Sequence, residues 1–247
     1  MIILRIFETD FLGGLVKLKA GVFSVLLIIF LLLPMTGNAQ INEDKLGAWY
    51  MYFFNSTFND GRWGIQGDVQ SRNWNIVGDL EQLMLRGGIT YKPKSVDVKL
   101  TLGYGNITTG LYGSDNSKTT EHRIYQEALI PIHLGGRFYT NHRFRYEQRF
   151  VENQDTRTRY RYNLFLNIPV NSEKMDERTF YLAFYNELFI NGQRKLEKGI
   201  ETFDRNRLYG AVGYVIKKGL NIQIGLMNQT TNNWNKNQLQ FSIHHKI

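Results

Sequence analysis

The clearest pattern in the chain is a strict alternation of apolar and polar residues between Arg137 and Ile168. One parity of its first half is apolar and the other is charged: Phe138, Phe144, Tyr146 and Phe150 against Arg137, Arg143, Arg145, Glu147 and Arg149. Its second half repeats the pattern, with Tyr160, Tyr162, Leu164, Leu166 and Ile168 against Arg157, Arg159, Arg161 and Asn163. A period of two residues is typical of a β-strand whose two faces meet different surroundings.

Two classes of fold accommodate such strands. In a water-soluble β-sandwich the apolar face would form the core, and the charged face would meet water. In a membrane β-barrel the assignment is inverted, because apolar side chains face lipid and charged ones face the lumen. A periplasmic sandwich therefore remains the alternative to a barrel at this point.

Similar segments run along most of the chain and predict nine further strands. These are Leu46–Asn55, which alternates poorly, and then Trp63–Arg72, Gln82–Tyr91, Val96–Tyr104, Arg123–Ile130, Phe180–Ile190, Arg205–Ile216, Leu220–Leu226 and Gln238–Ile247. Strands of about ten residues suit a tilted crossing of a bilayer. Short connections alternate with longer polar ones such as Ile107–Thr119, which is the membrane-barrel arrangement.

The number of predicted strands conflicts with a rule for these proteins, because single-chain bacterial barrels have an even number. We therefore expect Leu46–Asn55 either to lie outside a ten-stranded wall or to pair with an unrecognised segment in a twelve-stranded one. The predicted fold class is all-β, an antiparallel transmembrane β-barrel of about ten to twelve strands.

Composition narrows the class of protein. The chain has no cysteine, which excludes disulfides and thiolate metal sites, and its mean hydropathy of −0.34 argues against a bundle of membrane helices. The formal charge of +8 resides mostly on alternating segments rather than in tails. Without a phosphate-binding loop, zinc-finger spacing or an RNA-binding aromatic motif, this excess indicates a polar strand face and no nucleic-acid partner.

The N-terminal region has the features of an export signal. Lys17 and Lys19 precede the apolar run Val22–Leu33, and small residues lead to a cleavage point after Ala39. The run is shorter than the ~20 residues of a spanning helix, so an uncleaved anchor is the weaker alternative. We expect a removed signal peptide at 1–39, a single barrel domain at 40–247, and a location in the outer membrane of a Gram-negative bacterium.

The end of the chain suggests partners for this barrel. It stops on an amphipathic strand with an apolar last residue, Ile247. This resembles the C-terminal signal by which barrel-assembly machinery inserts outer-membrane proteins. The expected partners are therefore that machinery and the lipid of the outer membrane.

Several short motifs resemble a family of bacterial outer-membrane barrels known as domain of unknown function 2490. They are Trp49 with Tyr52, Arg72, Arg86 with Gly88 and Tyr91, Gly103-Tyr104, Glu121-His122-Arg123 with Gln126, Arg143 to Arg149, Arg159 to Tyr162, Asn186 to Phe189 and Phe203 to Arg207. Ile247 departs from the aromatic residue that often ends members of this family. The resemblance implies a location and a fold, and it implies no activity.

If apolar residues face lipid, a ladder of charges faces the lumen: Arg86, Glu127, Arg143, Arg145, Glu147, Arg149, Arg157, Arg159, Arg161, Glu187 and Arg207. The first interpretation is structural, because Arg–Glu pairs can fill a narrow barrel with a satisfied network. The alternative is a passive pore that favours anions, since rings of Arg select against cations. In that case a small anionic solute would be a partner.

Two further hypotheses have weaker support. Ser242 and His244 share a strand face, as in outer-membrane lipid hydrolases, but same-face neighbours lie about 7 Å apart, which predicts no direct contact and no enzyme. The five scattered His residues show no ligand spacing, so no metal or cofactor is expected. Alternatively, outer loops carrying Tyr112 and Trp234 could bind a partner through exposed aromatic side chains.

Overall fold

The computed structural model describes residues 45–58, 61–113, 117–193 and 201–247. Their regular structure is eleven β-strands: β1 Gly47–Thr57, β2 Trp63–Asn73, β3 Leu80–Tyr91, β4 Lys99–Gly110, β5 Lys118–His133, β6 Tyr139–Val151, β7 Arg157–Pro169, β8 Phe180–Asn191, β9 Phe203–Lys217, β10 Leu220–Thr230 and β11 Asn235–Lys246. No helix in these ranges is long and apolar enough to cross a membrane. The signal peptide expected at 1–39 lies outside the described residues.

The strands form a closed barrel in which each strand is antiparallel to the next, and β1 closes the wall by pairing in parallel with β11. The predicted all-β barrel is confirmed. The expectation of an even number of wall strands was wrong, because every predicted segment, including Leu46–Asn55, is a strand of the wall. Strand direction reverses at every connection, so an odd number requires one parallel pair. Gly47 lies opposite Gln238 and Asn55 opposite Lys246 at this seam.

The parallel seam places the first and last described residues at opposite ends of the barrel. One end, the N-terminal rim, holds Lys45 and the described residues of five connections: 74–79, 111–113 with 117, 152–156, 192–193 with 201–202, and 231–234. The other end, the C-terminal rim, holds Ile247 and the described residues of five more: 58 with 61–62, 92–98, 134–138, 170–179 and 218–219. The connections of the two rims differ less in length than predicted, because β4 and β5 extend into the expected loop Ile107–Thr119.

The strands are strongly tilted against the barrel axis. Asn55 lies near the C-terminal rim, and its row of paired neighbours runs through Gln66, Gly88, Gly103, Tyr125, Glu147 and Arg159 to Asn191 at the N-terminal rim. A row of paired residues lies perpendicular to the strands. Since this row climbs from one rim to the other, the strands cannot run parallel to the axis. The tilt brings charged residues from distant strands to the same height.

The two faces of the wall have opposite character. Leu226, in the middle of β10, is 55% exposed on the outer face, whereas Glu147, in the middle of β6, is 0% exposed on the inner face. Other central leucines and isoleucines, such as Leu102 and Ile89, are exposed, and most lumen Arg residues are buried. The barrel therefore carries its apolar side chains outward, which is the inverted arrangement.

Glycine at two inner positions makes room for tyrosine on the neighbouring strand. Gly103 lies opposite Tyr125, and Gly213 opposite Tyr181. A Cβ atom at Gly103 would lie 2.1 Å from Cζ of Tyr125, and one at Gly213 would lie 2.2 Å from Cζ of Tyr181. These glycines are thus needed for close packing, and the tyrosine rings lie flat against the inner wall.

Candidate functional site in the barrel interior

Glu147 is the centre of the charged network in the lumen. Its Oε2 accepts a hydrogen bond from Nη2 of Arg159 at 2.6 Å, and its Oε1 accepts one from Nη1 of Arg161 at 2.6 Å. Both guanidinium groups come from β7, the strand next to β6. A fully buried carboxylate is costly unless it is paired and hydrogen-bonded, and the two Arg residues provide this compensation.

Arg161 connects this centre to a second carboxylate, that of Glu187 on β8. Its Nη2 donates to Oε1 of Glu187 at 2.5 Å, and Nη2 of Arg143 donates to the same oxygen at 2.6 Å. Positive and negative groups therefore alternate from Glu147 through Arg161 and Glu187 to Arg143. Such alternation lets each charge stabilise two neighbours.

A third carboxylate, Glu127 on β5, extends the network towards β2. Nε of Arg145 donates to its Oε2 at 2.7 Å, and Nε2 of Gln66 donates to its Oε1 at 3.0 Å. Nε of Arg143 lies 3.7 Å from Glu127 Oε2, which is an ion pair without a hydrogen bond. On the adjoining strands, Asp68 accepts from Nη2 of Arg86 at 2.9 Å.

Further ion pairs occupy the part of the lumen near the N-terminal rim. The carboxylate of Glu121 receives two hydrogen bonds from Arg149, at 2.6 and 2.9 Å, and two more from Arg123. Asp204 on β9 accepts from Nη1 of Arg159 at 2.8 Å. These contacts link β5 to β6 and β7 to β9.

Arg72 differs from the other buried Arg residues, since no carboxylate oxygen of the described residues lies within 4.0 Å of its nitrogens. Its guanidinium donates to Oε1 of Gln70 at 2.7 Å and lies 3.8 Å from the ring centroid of Trp49. Cζ of Arg207 lies 4.8 Å from the same ring. The aromatic ring and amide oxygens therefore replace a carboxylate as partners for this cation.

Most residues of the predicted charge ladder belong to this network. Ten take part in ion pairs of the network: Arg86, Glu127, Arg143, Arg145, Glu147, Arg149, Arg159, Arg161, Glu187 and Arg207. Arg157 is half-buried near the N-terminal rim and has no such pair within the described ranges. Sequence reasoning missed Asp68, Glu121, Arg123 and Asp204. Glu121 and Arg123 share the parity of Glu127, which is a signal that could have found them.

The two halves of the lumen differ. Towards the N-terminal rim, the described side chains fill the interior, with Trp49, Phe189 and Gln238 almost completely buried. From the middle of the barrel to the C-terminal rim there is a cavity of about 390 Å³, which we call the C-terminal cavity. Its boundary towards the centre includes Arg72, Arg145 and Glu187. The described interior is thus closed on one side and hollow on the other.

Ser242 and His244 both border this cavity, and they contradict one sequence argument. Oγ of Ser242 lies 3.0 Å from Nε2 of His244. The expectation of no direct contact was wrong, because it used backbone spacing, and the His side chain reaches back along β11. The His244 ring stacks on Phe53, with centroids 4.8 Å apart. No carboxylate of the described residues is hydrogen-bonded to this imidazole.

The two loop aromatics are less accessible than expected. Tyr112 is half-buried, and its ring makes an edge contact with Trp74, with centroids 5.9 Å apart. Trp234 is also half-buried, and its carbonyl oxygen accepts a hydrogen bond from the backbone N–H of Thr231 at 2.8 Å. Tyr112 therefore packs against a neighbouring connection, Trp234 stabilises its own turn, and binding through these loops stays a hypothesis.

Comparison with known proteins identifies a family. Residues 46–240 match the model of a family described as protein of unknown function (DUF2490), a range that includes the whole described wall except residues 241–246 of β11. No curated protein and no solved structure is significantly similar to the chain. The motifs from Trp49 to Arg207 lie within the matched range, and alternate residues of their strands, such as Glu147, Arg159 and Arg161, face the lumen. The chain belongs to the DUF2490 family.

Proposed function

We propose that the protein is an integral β-barrel of the Gram-negative outer membrane, exported by a cleaved signal peptide, whose lumen is closed by its own charged network. The observation that carries this proposal is the inversion of the wall: apolar side chains cover the outside and ion pairs fill the inside. In water, this arrangement would expose a continuous apolar surface much larger than the patches tolerated by soluble monomers. In a bilayer, the same surface is solvated by acyl chains.

The closed lumen favours a non-conducting barrel over the passive anion pore. An open pore needs water around its charged ring, whereas Glu147 and its Arg partners are buried and hydrogen-bonded to each other. Ions could pass only if these pairs separated. We therefore expect purified protein in planar bilayers to give no stable conductance. A steady anion-selective current from the wild-type protein would restore the pore hypothesis.

Membrane location is tested by placing a charge on the outer face. Leu226→Arg puts a guanidinium group in the middle of the apolar belt, which costs about 2–4 kcal/mol at the bilayer midplane. We expect less folded, heat-modifiable barrel in the outer-membrane fraction. Val77→Arg is the matched control, because Val77 is apolar and exposed but lies in the connection 74–79 at the N-terminal rim.

Two results would contradict the membrane location. If wild-type protein stays monodisperse in buffer without detergent, or if Leu226→Arg accumulates as well as Val77→Arg, the outer face does not contact lipid. The barrel would then belong to the periplasm, and its apolar surface would need another covering.

A further inference from the structure

The C-terminal cavity has two walls of different chemistry. One wall, on β8 and β9 with the connection 170–179, is aromatic and apolar and is formed by Tyr181, Tyr185, Tyr209 and Met175. A second, polar wall, on β4, β6 and β7, carries Lys99, Arg143 and Asn163. A volume of about 390 Å³ is within the range of small-molecule sites, which combine apolar walls with a few polar groups.

Positive charge exceeds negative charge around this cavity. The cationic lining residues are Arg72, Arg86, Lys99, Arg143, Arg145, Arg161 and Arg207, and the anionic ones are Asp68, Glu127 and Glu187. The three carboxylates already accept hydrogen bonds from Arg86, Arg145 and Arg161. The surplus is therefore cationic, and the aromatic wall beside it lowers the local polarity, which strengthens its attraction for an anion.

Two of these cations face the cavity with bonding capacity to spare. The side chain of Arg143 is 18% exposed, compared with 5–7% for Arg145, Arg161, Arg86 and Arg207. Its buried Nε has no hydrogen-bond partner. Lys99 has no carboxylate oxygen of the described residues within 4.0 Å of its ammonium group. On the strand between them, Leu129 pairs in register with both Lys99 and Arg143. The two backbones are thus separated by two strand spacings, about 10 Å.

Nearby buried polar atoms also lack partners. Asn163, which is 2% exposed and pairs in register with Arg143, has an Oδ1 atom without a hydrogen bond. Nη1 of the buried Arg145 has none either. Buried polar groups are rarely left in this state, so the polar groups next to the cavity are not fully satisfied by the described residues.

We propose that the C-terminal cavity binds a small organic anion with a planar apolar part. Lys99 and Arg143 hold its acidic group, and Tyr181, Tyr185 and Phe165 contact its apolar part. The geometry supports this division, since Cζ of Arg143 already lies 5.2 Å from the Phe165 ring, which joins the basic wall to the aromatic one. Binding there requires no conduction, because the network closes the cavity on its central side.

The test uses the full-length mature protein in an uncharged maltoside detergent, with para-fluorobenzoate observed by fluorine NMR. We expect saturable binding with a dissociation constant below about 1 mM. Lys99→Gln and Arg143→Gln should each weaken binding by about tenfold, which corresponds to the loss of one charge-assisted hydrogen bond. Lys99→Gln is the cleaner variant, because Arg143 also pairs with Glu187.

Arg157→Gln is the matched control, since Arg157 has the same strand parity but lies near the opposite rim. It should leave affinity within about twofold. Uncharged para-fluorobenzyl alcohol should bind at least tenfold more weakly than the acid, again by the loss of one charge-assisted contact. Heat-modifiability of every variant verifies that the barrel is folded.

The proposal is overturned if wild-type protein does not bind the acid, if the alcohol binds equally well, or if Lys99→Gln and Arg157→Gln behave alike. Its failure can be distinguished from failure of the membrane assignment. Protein that is soluble without detergent and still binds the acid through Lys99 would contradict the membrane location and leave the site intact.

Discussion

Oγ of Ser242 and Nε2 of His244 are 3.0 Å apart on the inner face of β11, within the distance at which a base can activate a hydroxyl group. Hydrolysis also needs an oriented imidazole and an accessible nucleophile. The His244 ring stacks on Phe53, and Ser242 is only 5% exposed. The pair therefore has the distance of a catalytic dyad, but no carboxylate of the described residues is hydrogen-bonded to its imidazole.

We expect this pair to be unreactive. A fluorophosphonate probe should label Ser242 of the folded wild-type barrel no faster than it labels Ser242 of the His244→Ala variant. The measurement is peptide mass spectrometry after a time course of labelling. Rapid labelling of Ser242 that is lost in His244→Ala would contradict the prediction and establish a nucleophile.

The central carboxylate should be essential for stability. Glu147→Gln leaves Arg159 and Arg161 in place and removes the charge to which both donate. Because breaking a buried ion pair from one side leaves an uncompensated charge, we expect a loss of about 3 kcal/mol in the free energy of unfolding. Urea titration of the refolded barrel measures this change.

Glu173→Gln provides the comparison for that experiment. Glu173 is exposed in the connection 170–179, and its substitution should change stability by no more than about 0.5 kcal/mol. Equal effects of the two substitutions would mean that the lumen network contributes nothing beyond ordinary surface charge.

Close packing of tyrosine against glycine predicts a second stability effect. Gly103→Ala forces its new Cβ against the Tyr125 ring and should cost about 1–3 kcal/mol. Gly87→Ala, at a strand position with no atom within 4 Å of a new Cβ, should change stability by less than about 0.5 kcal/mol. In a Tyr125→Ala background the cost of Gly103→Ala should fall, and an unchanged cost would show that the ring is not its cause.

The parallel pairing of β1 with β11 makes a prediction about topology. In the proposed membrane location, the two ends of the wall lie on opposite sides of the bilayer, because Lys45 is at the N-terminal rim and Ile247 is at the C-terminal rim. A peptide tag inserted before Lys45 and a tag after Ile247 should differ in their accessibility to antibody on intact cells. Both should be accessible after permeabilisation, and equal accessibility beforehand would contradict an odd number of crossings.

Alternation located ten of the eleven described wall strands, because each face of a barrel strand meets a uniform environment. It did not place β1 in the wall, for a physical reason. The inner positions of that strand hold Trp49, Met51 and Phe53, which pack in the lumen, so both of its faces are apolar. A strand of this kind shows no alternation, although its backbone pairs on both sides.

The sequence also placed most charges inside without showing how they pair. Arg161 meets Glu187 and Glu147 because neighbouring strands are paired in a particular register and tilted against the axis. Strand parity contains no information on that register. The C-terminal cavity was likewise beyond prediction, since its lining residues are distributed along the chain from β1 to β11.

The seam has a consequence for the order of assembly. Every other pair of neighbouring strands is joined by a local connection, whereas β1 and β11 come from the two ends of the wall, and Lys45 contacts Lys236 across 191 positions of sequence. In the proposed membrane location, the sheet has two unpaired edges until β1 and β11 meet, and unpaired backbone groups are costly in hydrocarbon. Closure of the wall therefore depends on pairing the two strands that are farthest apart in the chain, and a chain in which they do not pair would remain an open sheet prone to aggregation.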